Sequence, residues 1–369
     1  MKKLFRDITN KLYILYLCAK STSFFLRCGW RTVPFAIKLY NERHFMPKEM
    51  FVKGLLNPDS RDQALQIFLS RKEGTQLQEA LNPEIFAPTL KNKALFYKML
   101  KLADLPHPEV FAVFNKNTAG YDSSGNIIES KQQWEKFLEN QIPNEFVMKP
   151  AYGTEGKGFK CIARHEDGFY SVNKRYSAEQ LYLEMMEYPH CDCYIIQQKL
   201  TNHRAFESIT GPKALQTVRV VTFIKKDSLP VLIWSLPKFI VGDNVIDNTS
   251  HGRINNFYSF ADNQTGRVDK GFIFCPENGA IKDISLHPDT GKSIEGFMLP
   301  CWDEVVKLVK KASKVFLPIR SVGWDIAITD DGPFIVEGNI WWEVGGKVKA
   351  VKPIIDDIGY YPKGFNLRF

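Results

Sequence analysis

The sequence has no cysteine pattern that indicates disulfide bonds or a zinc site. Its seven cysteines are an odd number, and Cys191 and Cys193 stand too close together to pair comfortably. No CxxC pair and no cluster of cysteine and histidine at zinc-site spacing occurs. These absences favour reduced thiols, as in a cytoplasmic protein.

Long apolar runs, Gly/Ser-rich linkers, internal repeats and low-complexity tracts are also absent. The apolar stretch 12–19 follows a basic start, but Lys20, Arg27 and Arg31 keep it from reaching the ~20 residues that a transmembrane helix needs. We therefore expect neither a cleavable signal peptide nor a membrane span. The apolar fraction of 44% is typical of a globular chain.

Positive charge is in excess, but only in the first part of the chain. Residues 1–53 contain 11 Lys and Arg side chains against three acidic ones, whereas the remaining residues contain 38 of each sign. This distribution argues against a uniformly basic nucleic-acid-binding protein and for a local basic surface. Nucleic-acid binding by residues 1–53 alone is a weaker alternative.

The same basic segment has a helical pattern. Leu4, Ile8, Leu12 and Leu15 recur at helical spacing, and large aromatic residues follow them. Two interpretations are open. The helices could lie on an anionic membrane surface, or their apolar faces could pack on the rest of the protein while the lysines are solvated.

Four segments are expected from the order of these patterns. Residues 1–87 form a basic, aromatic, helical region, and residues 88–145 form a small α/β unit. Residues 146–205 contain two strands joined by a glycine loop, then a helix and another strand. Residues 206–369 continue with several strands, one long helix and a final hairpin.

The glycine loop lies in the sequence KPAYGTEGKGF, directly after an apolar strand. Glycines allow backbone N–H groups to approach phosphate closely. The spacing does not match the Walker loop, and a strand rather than a helix follows, so it is no GxGxxG dinucleotide motif either. The pattern is consistent with a flap over phosphates, and a merely flexible hairpin is the alternative.

The final hairpin contains two acids in apolar strands. Asp325 and Glu337 are separated by a short turn, so they can sit side by side, and Asn339 shares a strand face with Glu337. Carboxylate and amide oxygens are the ligands that Mg²⁺ prefers, together with nucleotide phosphates. The alternative is a buried acid paired with an arginine.

The order of these parts resembles the ATP-grasp superfamily from about Lys91 to Asn339. The stretches KPAYGTEGKGF, LQTVRVVTF, VIDN…HGRIN and VGWDIAIT…GPFIVEGN are more closely similar to the sugar-transfer-associated ATP-grasp group. The resemblance implies an α+β fold in which two lobes clamp a nucleotide, preceded here by a helical N-terminal extension. It also implies ATP and Mg²⁺ as cofactors.

The resemblance also implies roles for individual residues. Lys149 is the lysine that contacts the α-phosphate and adenine, and Lys93 reaches the phosphates. The flap and the adenine hinge complete the nucleotide site, with Gly153, Gly156, Lys157, Gly158, Gln198, Lys199 and Leu200. The metal ligands are Asp325, Glu337 and Asn339.

Catalysis and substrate binding are assigned to further residues. Arg219 lies near the transferred phosphoryl group by this resemblance and acts in catalysis with Lys149, although a structural ion pair is an equal alternative for Arg219. A polar cluster between apolar strands is expected to recognise the substrate. Its members are Asp247, Asn248, His251 and Arg253, and residues 343–346 are a weaker candidate.

Such relatives join a carboxylate to an amine through an acyl phosphate. The group implies a sugar acid or cell-surface polysaccharide as the carboxylate, with an amino acid as one possible amine. A phosphotransferase and a non-catalytic nucleotide-binding protein are the alternatives. The basic N-terminal segment would suit a cytoplasmic protein that works at the inner face of the membrane.

Overall fold

The computed structural model of the protein describes residues 2–21, 29–58, 61, 69–153, 156–172, 174–226, 229–248, 254–275, 277–342 and 348–359. In these residues the chain forms two antiparallel sheets with helices packed against them. The α+β class expected from the sequence is confirmed. None of the helices in these ranges is both long enough and apolar enough to cross a bilayer.

Eleven helices occur in the described ranges. In chain order, α1–α11 span Lys2–Ser21, Gly29–Glu42, Pro47–Val52, Arg71–Leu81, Pro88–Lys91, Lys93–Leu102, Lys131–Asn140, Ala178–Glu187, Arg204–Thr210, Trp302–Val315 and Lys352–Ile358. Short 3₁₀ turns span Glu84–Phe86 and Val348–Val351. Local sequence explains where α7 and α8 begin, because Ser130 and Ser177 each form a capping box with the glutamine three residues later.

The first sheet has eight strands. Strands β1–β8 span Val110–Asn115, Gly120–Asp122, Ile127–Ile128, Glu145–Pro150, Lys160–His165, Gly168–Ser171, Lys174–Tyr176 and Cys193–Gln198. Their order across the sheet is β3-β2-β1-β8-β4-β5-β6-β7. Strands from the second and third expected segments therefore share one sheet, with β8 between β1 and β4.

The second sheet has seven strands and contains the acidic hairpin. Strands β9–β15 span Thr217–Ile224, Pro230–Phe239, Phe257–Ala261, Val268–Cys275, Ala280–Ile284, Ser321–Thr329 and Gly332–Asn339. Their order is β13-β12-β11-β10-β9-β14-β15. Strand β14 is buried along its whole length and lies between β9 and β15, so Asp325 has a cross-strand neighbour on each side.

Buried apolar side chains pack against the sheets in separate cores. One core lies between the first sheet and helices α7 and α8. The largest joins α6 and α10 to the second sheet and includes Ile195 of the first sheet. A third holds α4 and α11 against the second sheet. Helix α6 thus packs against both sheets. We call each sheet with its helices a lobe, and the junction between the two lobes, where α6 lies, the cleft.

The N-terminal helices pack on the edge of the second sheet. Phe51 of α3 meets Phe274 of β12 edge-on, with ring centroids 5.9 Å apart, and α1 contributes Ile14 to the same core. Arg43 forms a bidentate ion pair with the buried Glu73, at 2.9 and 3.0 Å. The packing interpretation of this segment is therefore confirmed for the inner faces of its helices.

Asn82 ties the end of α4 to the strand that carries Asp325. Its side-chain amide donates to the carbonyl oxygens of Ser321 and Ile340, at 2.8 and 3.1 Å, and accepts from the backbone N–H groups of Arg320 and Ser321. One buried side chain thereby satisfies four backbone groups at the start of β14 and just beyond β15. This contact fixes the acidic hairpin from outside the cleft.

Candidate functional site

Lys149 and Tyr97 form a buried polar contact at the cleft. Lys149 Nζ donates to the Tyr97 hydroxyl group at 3.1 Å, and that hydroxyl donates to the carbonyl oxygen of Val336 in β15 at 2.6 Å. Burial, with Glu337 nearby, raises the pKa of Tyr97, so the phenol stays protonated and can donate. Strand β4 of one lobe is thus linked to β15 of the other through α6.

Among the described residues, the Lys149 ammonium group forms no ion pair at salt-bridge distance, although Glu337 lies near enough to act on its pKa. Burial lowers the pKa of Lys149 to about 7, the nearby Lys93 lowers it as well, and Glu337 acts in the opposite sense. A phosphate bound beside Lys149 would favour the charged form and raise the pKa. An anion beside Lys149 would therefore compensate charge that burial leaves unfavourable.

Lys93 lies between the acidic hairpin and the glycine loop. Its Nζ is 3.4 Å from Glu337 Oε1 and donates to the carbonyl oxygen of Gly153 at 3.3 Å. Its backbone N–H donates to the carbonyl oxygen of Ala151 at 2.9 Å. The structure therefore brings together Lys93, Lys149 and Glu337, three of the residues that the sequence assigned to the nucleotide and the metal.

The antiparallel register places Asp325 directly opposite Glu337 and Gly323 opposite Asn339. Asp325 is only 5% exposed, whereas the Glu337 side chain is 35% exposed at the rim of the cleft. The Asn339 amide nitrogen donates to the carbonyl oxygen of Gly323 at 3.2 Å and lies 3.4 Å from Asp325 Oδ2. The three predicted metal ligands therefore occupy one corner of the sheet.

Asp325 is held by two cations. Arg219, opposite it on β9, donates to both carboxylate oxygens at 2.6 and 2.9 Å, and Lys238 on β10 donates to Oδ1 at 3.0 Å. Burial alone would raise the pKa of Asp325, but these cations outweigh burial and hold the pKa well below its usual range. Of the two interpretations for Arg219, the ion pair is observed.

Lys238 was missed by the sequence interpretation, and it extends the cluster to the expected substrate residues. Its Nζ is 3.5 Å from Asp247 Oδ2, which also accepts the backbone N–H of Thr217 at 2.9 Å. Burial would lower the pKa of Lys238, yet Asp247 and Asp325 raise it. A lysine within the apolar run IWSLPKFI is the sequence signal that could have revealed it.

The donor set fits a hard divalent cation. Across the described part of the chain, no group of three or more His, Cys, Asp and Glu side chains is placed to hold a metal. Two opposed carboxylates and an amide are instead available at the cleft, and Mg²⁺ commonly takes one or two carboxylates and completes its shell with phosphates and water. Glu337 is the more accessible of the two acids, because Asp325 already binds Arg219 and Lys238.

The glycine loop requires glycine at specific positions. Gly156 and Gly158 have φ angles of +70° and +75°, in the left-handed region that favours glycine. A Cβ atom at Gly158 would lie 2.8 Å from Pro150 and 3.0 Å from Tyr188, whereas one at Gly156 would lie 3.2 Å from Ile246 of the other lobe. The loop thus reaches across the cleft at Gly156, next to the exposed Lys157.

The side chains of the hinge after β8 contact neighbouring parts of the first sheet. The Gln198 side chain accepts the backbone N–H of Glu109 at 3.1 Å, so it serves the pairing with the start of β1. Lys199 pairs with Glu145, and both line a groove of about 600 Å³ that extends along β5 and β6. Leu200 follows as a half-buried residue.

Gln197 is the hinge amide that shares a strand face with Lys149. It lies opposite Val147, two residues from Lys149 along β4, and side chains two residues apart share a face. Gln197 is 4% exposed, and its Oε1 atom has no hydrogen-bond partner in the described part of the protein. The sequence alone does not show which of the two adjacent glutamines shares a strand face with Lys149, because this depends on the strand register.

The expected substrate cluster is only partly visible. Asp247 joins the buried charge cluster through Lys238, and the carbonyl oxygen of Asn248 accepts the side-chain amide of Asn256 at 3.0 Å. His251, Arg253 and the candidate residues 343–346 lie outside the described residues.

A sequence model described as sugar-transfer associated ATP-grasp matches residues 72–352. None of the curated proteins matches the chain significantly.

Three solved structures show the level of similarity found. L-amino acid ligase from Bacillus licheniformis has 9% identity and a TM-score of 0.38, covering 72% of this chain and 43% of its own. D-alanine–D-alanine ligase from Bacillus anthracis has 12% identity and a TM-score of 0.39, covering 74% and 68%. Biotin carboxylase from Campylobacter jejuni has 10% identity and a TM-score of 0.41, covering 75% and 48%. The chain thus spans less than half of the first and third of these proteins.

Proposed function

The chain belongs to the sugar-transfer associated ATP-grasp family, and from this premise we propose that it is an ATP- and Mg²⁺-dependent ligase that joins a carboxylate to an amine. The observation that carries the proposal is the meeting of Lys93, Lys149 and Glu337 in one cleft, beside a glycine loop. The pKa of the buried Lys149 is lowered there, and a bound phosphate would raise it again because it would stabilise the charged form of the lysine.

ATP is proposed to lie between the two sheets. Lys149 and Lys93 would neutralise its phosphates, and the backbone N–H groups around Gly156 and Gly158 would contact them from above. Gln197, with its unpartnered amide oxygen, would accept a hydrogen bond from the amino group of adenine. Lys199 and Leu200 would border the base.

Glu337, Asn339 and Asp325 would hold Mg²⁺. When bound, the metal would supply charge neutralisation for the phosphates during transfer. The role of Arg219 and Lys238 is then to keep Asp325 ionised and oriented, and to place two further positive charges near the same corner of the cleft. We assign Arg219 and Lys149 the catalytic positions and Lys238 a positioning role.

The proposed chemistry proceeds in two transfers. A carboxylate oxygen attacks the γ-phosphorus of ATP, the bond to the bridging oxygen breaks, and ADP leaves with that oxygen's electron pair. The amine nitrogen then attacks the acyl carbon, phosphate departs, and the nitrogen loses a proton. The residues of the cleft are suited to positioning and charge neutralisation, which such transfers chiefly require.

The family description supports a sugar acid or a polysaccharide as the carboxylate partner. We propose an amino acid as the amine, with Asp247, Asn248, His251 and Arg253 near the substrate. Because the proposed reaction consumes ATP, we propose that the protein acts in the cytoplasm. The second candidate is a non-catalytic nucleotide-binding protein, favoured by one observation: Asp325 is already paired with two cations.

A hydroxylamine trap tests the ligase proposal directly. The protein is incubated with Mg-ATP, hydroxylamine and a pool of sugar acids and amino acids, and products are identified by mass spectrometry. A hydroxamate is expected with the native protein and with Asp330→Asn, an exposed control in the same hairpin, and is expected to be lost in Glu337→Gln. ADP and a stable phosphorylated product would instead indicate a phosphotransferase. ATP binding without turnover across the pool would favour the non-catalytic protein.

A further inference from the structure

Helix α1 has two apolar faces, and only one of them is covered. Ile14, Leu17 and Cys18 are buried in the core that α1 forms with α2, α3 and the edge strands of the second sheet. A helix at a protein surface normally shows polar side chains on its opposite face. On α1 that face is apolar instead.

The uncovered face consists of large side chains at helical spacing. Phe5 is 75% exposed, Leu12 and Tyr16 are each 61% exposed, and Ile8 and Leu15 are about half exposed. Phe5, Ile8, Leu12 and Leu15 follow one another by three or four residues, and Tyr16 lies four residues after Leu12, so they form a continuous stripe along the helix. We call this stripe the outer face of α1. Scattered exposed apolar residues need no explanation, but a contiguous stripe indicates a partner.

Basic residues border the outer face. Arg6 and Lys20 are exposed on α1. Lys20 follows Tyr16 by one helical turn, and its Nζ lies 4.9 Å from the centre of the Phe51 ring, toward the buried side of the helix. The only acid in the helix is Asp7, which pairs with Lys11 at 2.7 Å. The segment 1–53 also carries the excess of positive charge of the whole chain. An apolar stripe with a basic border is the pattern of helices that lie in the headgroup region of anionic bilayers.

We propose that the outer face of α1 docks on an anionic lipid bilayer, with the helix axis in the plane of the membrane. The 20 residues of α1 would lie ~30 Å along the interface. Phe5 and Tyr16 would sit at the level of the headgroups, where aromatic side chains are favoured. A second copy of the chain is a poorer occupant, because two outer faces in contact would bring their basic borders together. The proposal holds whether or not the ligase reaction does.

Vesicle flotation tests the proposal with the full chain. The native protein is expected to float with vesicles of phosphatidylcholine and phosphatidylglycerol, and less with phosphatidylcholine alone. The triple variant Ile8→Ser, Leu12→Ser and Tyr16→Ser should lower the bound fraction at least about tenfold, since three large apolar side chains no longer enter the lipid. Arg6→Glu and added salt should weaken only the part of the binding that depends on phosphatidylglycerol.

Leu102→Ser provides the matched control. Leu102 is 89% exposed on α6, at a distance in sequence from the outer face, so this variant should bind vesicles as the native protein does. The unfolding midpoints of the variants are measured alongside, because exposed positions should leave them unchanged. Failure of the native protein to float, or equal flotation of the triple variant, would overturn the proposal. A dimer that the triple variant dissociates, without vesicle binding, would identify a second copy as the partner instead.

Discussion

Two buried charge clusters face the same cleft, and they differ in their balance. In the first, Asp325 and Asp247 compensate Arg219 and Lys238 within hydrogen-bond or ion-pair distance. In the second, Lys93 and Lys149 share the partly exposed Glu337, and the pKa of Lys149 is lowered to about 7. The charges of the first cluster are compensated within the protein, whereas in the second cluster two lysines face one carboxylate, and we propose that an anion from outside supplies the rest. In the proposed function, the first cluster builds the site and the second receives the nucleotide.

The largest expected effect lies in the first cluster, in which Asp325 and Asp247 compensate Arg219 and Lys238. Asp325→Ala would leave Arg219 and Lys238 buried without their carboxylate, and removing one partner of a buried ion pair costs about 3–5 kcal/mol of unfolding free energy. Urea unfolding followed by circular dichroism measures this change. Asp330→Ala, in the exposed turn of the same hairpin, should change the unfolding free energy by less than about 1 kcal/mol. Equal losses in both variants would contradict the distinction between the clusters.

In the second cluster, which consists of Lys93, Lys149 and Glu337, removal of a positive charge should lower ATP affinity without lowering the free energy of unfolding. Lys149→Met removes a buried cation without a full counter-charge, so we expect the unfolding free energy at pH 7 to stay the same or rise. ATP affinity should fall by about 10- to 100-fold, because a charged hydrogen bond to phosphate is lost. Isothermal titration calorimetry measures the affinity. Lys98→Met, on the exposed side of α6, is the control and should bind ATP normally.

If ATP binds beside Lys149 as proposed, the lowered pKa of this lysine should make ATP binding dependent on pH. The pKa is about 7 in the folded protein and 10.5 for an ordinary lysine, so the unfolded chain holds more protons between these values and stability from this group rises across that range. Bound phosphates raise the pKa again, so ATP should bind with uptake of a proton above pH 7, and more weakly as pH rises. Calorimetry at pH 8 in buffers of different ionisation enthalpy should detect this uptake. The same titration of Lys149→Met should lack it, and an unchanged uptake would assign the proton to another group.

The smallest expected effect concerns two adjacent glutamines. Gln197→Leu removes a buried oxygen that has no described partner, but also the side-chain contact to Tyr97, so the unfolding free energy should change by less than about 1 kcal/mol in either direction, while ATP affinity falls. Gln198→Leu removes the acceptor of the Glu109 N–H group, so it should lose about 1 kcal/mol of stability. Thermal unfolding with and without ATP compares the two. A larger loss of the ATP-induced stabilisation in Gln198→Leu than in Gln197→Leu would place the nucleotide-facing amide at Gln198.

Much of the architecture was accessible from local patterns. The glycine loop between β4 and β5, the hairpin β14–β15 and the opposition of Asp325 and Glu337 follow from alternation, turn residues and spacing within short stretches. The roles assigned to these residues stay predictions. Tyr97, Lys238 and Gln197 were missed, since each acts through a partner on another element that no local pattern reveals.

The sequence by itself determined the α+β class, the family and the uneven distribution of charge, because these depend on composition, period and the order of motifs. Only the tertiary structure decided which charges are compensated. Strand register places Arg219 opposite Asp325 and turns Gln197 rather than Gln198 toward the face of Lys149. It also decided that one apolar face of α1 is buried while the opposite apolar face is exposed. A shift of one residue in a strand reverses the face of every side chain, so such pairings exist only once the whole sheet has formed.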